Sequence, residues 1–186
     1  MAPSVTQEVS SNGHDAASEP ITKKVKPIPS SDPTVYDVHH QKFISDGLPS
    51  TAEAWVERAR RVGEILAVDA AARDIENKSP KAEIALLKSA GLLKVLGPKA
   101  IGGGGQTWEV GYKVIREVAK GDGSLGMLLG YHLLWSTTAN VVGTDEQKER
   151  IQKLIIKNNY FVGGEFTFPR ALKFANRIRG CQSERQ

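Results

Sequence analysis

The sequence predicts an all-α protein: a bundle-like domain of about five helices over residues 48–163, behind a disordered leader (1–47) and ahead of a basic tail (164–186). Three observations carry that prediction. Apolar side chains recur at three- and four-residue spacing in successive segments. Helix-start signals stand in front of those segments, and the links between them are short. One stretch, Leu125–Val142, is apolar almost all round, as a helix in the interior of a bundle is.

Residues 1 to about 34 are rich in Ser, Pro, Lys, Asp and Glu. Their large apolar side chains are too few to offset the entropy of ordering. Order is expected from about Leu48. Lys23-Lys24-Val25-Lys26 reads as a solvated basic patch rather than a nuclear signal. His39-His40 lacks a Cys or acid at metal-ligand spacing, so no metal site is expected. Ser50-Thr51-Ala52-Glu53 has the form of a capping box. It opens a long helix to about Asn77, with Trp55, Val62, Leu66 and Asp69 along one face. Ser79 then serves as N-cap, with Pro80 in the first helical position. Ile84, Leu87 and Ala90 point inward, and Gly91 closes that helix in a left-handed conformation. Leu93–Leu96 is a short extended connection ended by Pro98.

The Gly102–Gly105 run lacks the Lys-Ser/Thr ending of a phosphate loop. It reads as a turn before Thr107, which caps a helix from Trp108 to Lys120. Val110, Val114 and Val118, widened by Ile115, form the apolar stripe of that helix. Gly121 to Ser124 make a tight turn, and Asp122 or Ser124 caps the apolar helix that follows. The length of that helix reaches the lower edge of a membrane span. His132, Ser136, Thr137, Thr138 and Asn140 argue against one. Thr144–Gln147 is a second capping box. In the helix Asp145–Lys157 the residues Ile151, Leu154 and Ile155 face inward. Asn158-Asn159 end it, and Tyr160–Val162 reads as a short strand.

Gly121-Asp122-Gly123-Ser124-Leu125-Gly126 matches the dinucleotide fingerprint G-x-G-x-x-G, and Asp145 lies where a ribose-binding acid would stand. The fingerprint needs a preceding strand to deliver the helix terminus to a pyrophosphate. Trp108–Lys120 instead carries Glu109, Lys113, Arg116, Glu117 and Lys120 at helical spacing. A nicotinamide-binding half-domain is therefore the lesser reading, and it requires a strand at 108–120.

The net charge of +4 is unevenly placed. Residues 1–50 hold four Lys against six acids, and residues 165–186 hold five Arg or Lys against two Glu. No long basic run with interleaved aromatics appears, so nucleic acid is not expected as a partner. A single cysteine, Cys181, excludes an internal disulfide framework and fits a reducing compartment. No apolar core of a secretory signal follows Met1. The chain is expected to be intracellular and cytoplasmic, with no membrane contact.

Arg116–Leu133, REVAKGDGSLGMLLGYHL, resembles the amino-terminal helical domain of the acyl-CoA dehydrogenase superfamily. Within it the sequence is most similar to the dibenzothiophene-desulfurising flavin monooxygenase branch. Lys88–Gly105, KSAGLLKVLGPKAIGGGG, resembles the connection that precedes this stretch in the family, with Ile101 where an aromatic is usual. The resemblance begins near Trp55. It implies a flavin, FAD or FMN, and a small-molecule substrate held where three domains meet in a homo-oligomer. Dehydrogenation and mono-oxygenation both occur in the superfamily. The amino-terminal domain walls the pocket, so no catalytic residue is carried over. Tyr131 and His132 are the implied flavin-binding residues, and Ser124, Met127 and Tyr131 the implied substrate-pocket residues. A second role for His132 is a core histidine bonded to a backbone carbonyl. Met127 stands where the desulfurising branch has a histidine, which points to a different oxidation or substrate.

The resemblance stops after Gly163, and residues 165–186 match nothing in the family. A short amphipathic helix over Pro169–Arg179 is the lesser reading of them, and an unevolved read-through sequence the favoured one. The chain reads as the first third of a flavin-dependent oxidoreductase, inactive by itself. The alternative is a non-catalytic helical remnant that associates with a full-length paralogue.

Overall fold

The computed structural model describes residues 31–164. The basic Lys23–Lys26 motif, Cys181 and the amphipathic Pro169–Arg179 segment lie outside them. Seven α-helices are present and no strand among the described residues: α1 Asp37–Ser45, α2 Ala52–Ala67, α3 Ala70–Glu76, α4 Lys81–Ser89, α5 Trp108–Gly121, α6 Gly123–Val142 and α7 Asp145–Asn158. Helix α5 lies between α2 and α6, α6 also meets α7, and α1 packs on α4. Trp55, Val62 and Leu66 of α2 share one buried core with Leu86 and Leu87 of α4, Val114 and Val118 of α5, and Leu125, Leu129 and Leu133 of α6. Each such side chain contributes about 1.5–3 kcal/mol when fully buried.

The folded unit begins before Leu48. Tyr36 and Phe43 are seven residues apart and both join the core, which draws α1 onto α4. The guanidinium groups of Arg58 and Arg61 lie 5.5 and 5.4 Å from the Phe43 ring centroid. Arg58 also donates to the Gly47 carbonyl at 2.5 Å.

The long helix expected to Asn77 is two helices. Arg73 of α3 donates to the Leu66 carbonyl near the end of α2 (2.6 Å) and pairs with Asp69. This folds α3 back across that end. Asp69 thus lies past the end of α2, at the N-cap position of α3, and not on the apolar face expected of it. Thr51 is the N-cap of α2 and accepts from the Ala54 amide, so the cap stands one residue later than a Ser50–Glu53 box would place it. Ser79 does not cap α4. The Ala82 amide is satisfied by the distant Ser31 hydroxyl (3.0 Å), which in turn donates to the buried carboxylate of Glu83 (2.7 Å). Ala82, Leu86, Leu87 and Ala90 form the buried face there, while Ile84 is half-buried. Gly91 adopts the left-handed conformation, φ 74°, but a 3-10 turn at Leu92–Lys94 replaces the extended link. Thr107 occupies the N-cap position of α5 without a side-chain cap bond. The capping box at Thr144–Gln147 is formed in full. Helix α7 buries Gln152, Ile155 and Ile156. Ile151 is half-buried and Leu154 is exposed. The Gln152 amide reaches the Ser136 carbonyl at 2.6 Å, so a polar side chain takes an inward position.

Glycines set the closest crossings. A Cβ on Gly63 of α2 would fall on the carbonyl oxygen of Glu117 in α5. A Cβ on Gly126 of α6 would lie 2.6 Å from Ala119 Cα. Gly→Ala in an open helix interior gains about 1 kcal/mol. At position 63 we expect the reverse, a loss of about 1–3 kcal/mol from forced separation of α2 and α5. A denaturant midpoint for Gly63→Ala equal to or above that of the parent chain would contradict the close crossing.

Candidate functional site on helix α6

Helix α6 starts from a fixed point. Asp122 caps it by accepting from the Leu125 amide at 3.0 Å, and the other carboxylate oxygen takes the Arg73 guanidinium at 2.8 Å. The same guanidinium donates to the Tyr36 hydroxyl at 3.2 Å. The first turn of α6 is thereby tied to α1, α2 and α3.

The sequence expects α6 to be covered on every side. Among the described residues it is not. Ser124, Met127, Tyr131, Leu134, Thr138 and Val141 follow a three–four spacing, which keeps them on one face of the helix. That face is open: Met127 is 60%, Tyr131 52% and Val141 83% exposed. At its carboxy-terminal end the face joins an open groove of about 370 Å³. Trp108 and Tyr112 of α5 line the other side of this groove, their ring centroids 5.2 Å apart. These two aromatics were not nominated from sequence. Their i, i+4 spacing on α5 is the signal that marks them. A second open hollow, about 450 Å³, lies between α1 and α4 and holds none of the nominated residues.

Ser124, Met127 and Tyr131 therefore share a face. His132 does not. Adjacent helical residues point about 100° apart, and His132 enters the core with no exposed surface. The Val162 amide donates to its Nδ1 at 3.0 Å, and Nε2 lies 2.9 Å from the Leu93 carbonyl oxygen. An amide N–H can only donate and a carbonyl can only accept. The ring is thus neutral with its proton on Nε2, and both nitrogens are engaged by backbone. Phe161 stacks on it at 5.2 Å. The sequence expectation joins Tyr131 and His132 as a flavin-facing pair; the structure places them on different sides of α6. The Tyr160–Val162 segment expected as a strand is held by this imidazole and has no strand partner among the described residues.

The glycine run offers no anion cradle. The amides of Gly102, Gly103, Gly104 and Gly105 donate to the carbonyls of Lys99, Pro98, Lys94 and Gly97. Gly121–Gly126 follows a helix rather than the strand a dinucleotide fingerprint requires. No group of three or more metal-ligating side chains occurs among the described residues, and no helix there is long and apolar enough to cross a membrane.

Residues 49–158 match the family described as acyl-CoA dehydrogenase, N-terminal domain. The chain belongs to this family. It is 39% identical over 105 residues to a dibenzothiophene monooxygenase of Rhodococcus erythropolis, a match covering 56% of this chain and 25% of that protein. It is 31% identical over 105 residues to a probable FMNH2-dependent monooxygenase, SfnC, of Pseudomonas putida, covering 56% and 27%. The chain thus spans about a quarter of the length of the curated relatives it matches. Among solved structures it resembles the dibenzothiophene monooxygenase TdsC of Paenibacillus sp. A11-2, with a TM-score of 0.55 and 31% identity over 57% of this chain and 28% of that one. The FMN-bound form of TdsC gives a TM-score of 0.56 at 29% identity, over 61% and 29%. The matched region carries the open face of α6.

Burial pushes the His132 imidazole down to about 4. An unfolded histidine titrates near 6.5, so between these values the unfolded chain binds the extra proton. Stability is full above about pH 6.5 and falls as the pH drops toward 4, by about 3 kcal/mol from this group. His132→Asn, which cannot titrate, should flatten the pH dependence of the urea midpoint between pH 4.5 and 7. An unchanged slope would contradict it. Imidazole ¹⁵N shifts of the parent chain at pH 6 should report the neutral Nε2–H tautomer, a readout independent of whether the variant folds.

Proposed function

We propose that the chain supplies the amino-terminal wall of a reduced-flavin, oxygen-using oxidoreductase site. In this reading FMN is the flavin, FAD the less favoured choice, and a small aromatic molecule the substrate. The carrying observation is the open face of α6, on which Ser124, Met127 and Tyr131 stand together. Support comes from the FMN-dependent relative and from a TdsC complex holding FMN and indole.

The residues fit one side of a flat aromatic ring system. Met127 and Leu134 offer apolar surface that excludes water, and the hydroxyls of Ser124 and Tyr131 can donate to ring oxygens or nitrogens. No cationic side chain lies on the face, so a phosphate must be held elsewhere. Reduced FMN, when bound, would supply the electrons that activate oxygen. The protein residues position the rings and keep them dry. His132 acts behind the wall: it holds Leu93 and Val162 and sets the rotation of α6.

A single wall gives weak binding and no turnover. The three–four spacing of the face is that of a helix-packing seam, which supports a homo-oligomeric, multidomain parent. It also supports a second reading, a non-catalytic unit that associates through the same seam. FMN titrated into the 186-residue chain should shift amides of residues 124–138 with a Kd of about 1 mM, roughly 4 kcal/mol. Shifts centred on the glycine turn at 97–106 instead, or none at saturating FMN, would count against the reading. Oxygenation of indole by the chain with reduced FMN would contradict its inactivity.

A further inference from the structure

Residues 31–164 contain one sulfur atom, that of Met127; Met1 and Cys181 lie outside them. A lone methionine in a helical domain is ordinarily a core filler, because its flexible thioether packs into irregular gaps. Met127 is the reverse. It is 60% exposed, in the first turns of α6, on a seam whose other members are Ser124, Tyr131, Leu134, Thr138 and Val141. Its backbone is held firmly: the neighbouring Gly126 packs against Ala119, and Leu125 and Leu129 are core residues. The thioether is therefore presented to solvent from a rigid helix rather than from a fraying end.

We propose that Met127 is a peroxide-sensitive modification site, at which a polar sulfoxide replaces the apolar thioether on the seam of α6. In the step, the thioether sulfur attacks one oxygen of hydrogen peroxide. An S–O bond forms as the O–O bond breaks, and the departing hydroxide takes the proton of the new S–OH group, leaving the sulfoxide and water. Sulfur is oxidised by two electrons and peroxide reduced by two. The product sulfoxide is polar and chiral, and thiol-dependent methionine sulfoxide reductases reverse it. Where the face serves a flavin, the oxidant is at hand, because reduced flavin reacting with oxygen releases hydrogen peroxide. That clause rests on the proposed function; the site itself does not.

The test has two arms. In the first, the chain is treated with dilute hydrogen peroxide and residue 127 is followed by peptide mass, a gain of one oxygen, against N-acetylmethionine amide in the same tube. Oxidation within about threefold of the free amide is expected for an open thioether. A rate more than tenfold slower overturns the proposal. The oxidised chain should then bind an apolar-surface dye at least twofold less than the untreated chain. Met127→Leu, a near volume-conserving change on an open face, should keep its dye binding through the same treatment. Dye binding unaffected by full oxidation overturns the switch of the seam. In the second arm, reduced FMN and oxygen replace peroxide, with and without catalase. Oxidation that survives catalase places the flavin against the seam. Oxidation abolished by catalase, with the first arm intact, leaves the Met127 site standing and removes support for the flavin reading alone.

Discussion

The distance between α5 and its neighbours governs the rest of this structure. Helices whose facing residues carry side chains pack 8–10 Å apart. Gly63, Gly121 and Gly126 remove side chains at the points where α5 crosses α2 and meets α6. Backbone then lies on backbone, and the valines of α5 reach the core from a helix with charged residues on its outer side. The Arg73 guanidinium completes the arrangement from outside the apolar core. It gathers the Leu66 carbonyl, the Asp69 and Asp122 carboxylates and the Tyr36 hydroxyl around one planar fork. Its side chain is nearly buried, so each of those partners is needed to offset its desolvation.

Much of the fold could be read in the sequence where the signal was local. The side-chain cap at Thr51, the capping box at Thr144, the left-handed Gly91 and the valine stripe of α5 each depend on residues within one turn of one another. What escaped depends on long-range contacts. The Ser31 hydroxyl caps a helix start some fifty residues further on. The fold-back at Asp69 requires Arg73 to find the Leu66 carbonyl, and no spacing rule states which acceptor an arginine will choose. Helix α1 was hidden because a segment with only two large core residues, Tyr36 and Phe43, resembles a disordered one in composition.

The site was legible in part for a related reason. A hydrophobic helix is read as buried because composition carries no information about which faces have neighbours. Ser124, Met127 and Tyr131 share a three–four spacing and fall together. Tyr131 and His132 are adjacent in sequence, and helical geometry turns adjacency into separation. The sequence reading of His132 as a core histidine bonded to a backbone carbonyl holds at Leu93, but which carbonyl accepts, and that the Val162 amide takes the other nitrogen, depend on segments the local sequence around His132 does not announce.

Val162 and Gly164 have a mechanical consequence. Val162 is held by the inner side of α6 through His132, and a methyl on Gly164 would overlap the Trp135 ring. Residues 162–164 are therefore laid along the inner side of the same rod whose outer side carries the seam.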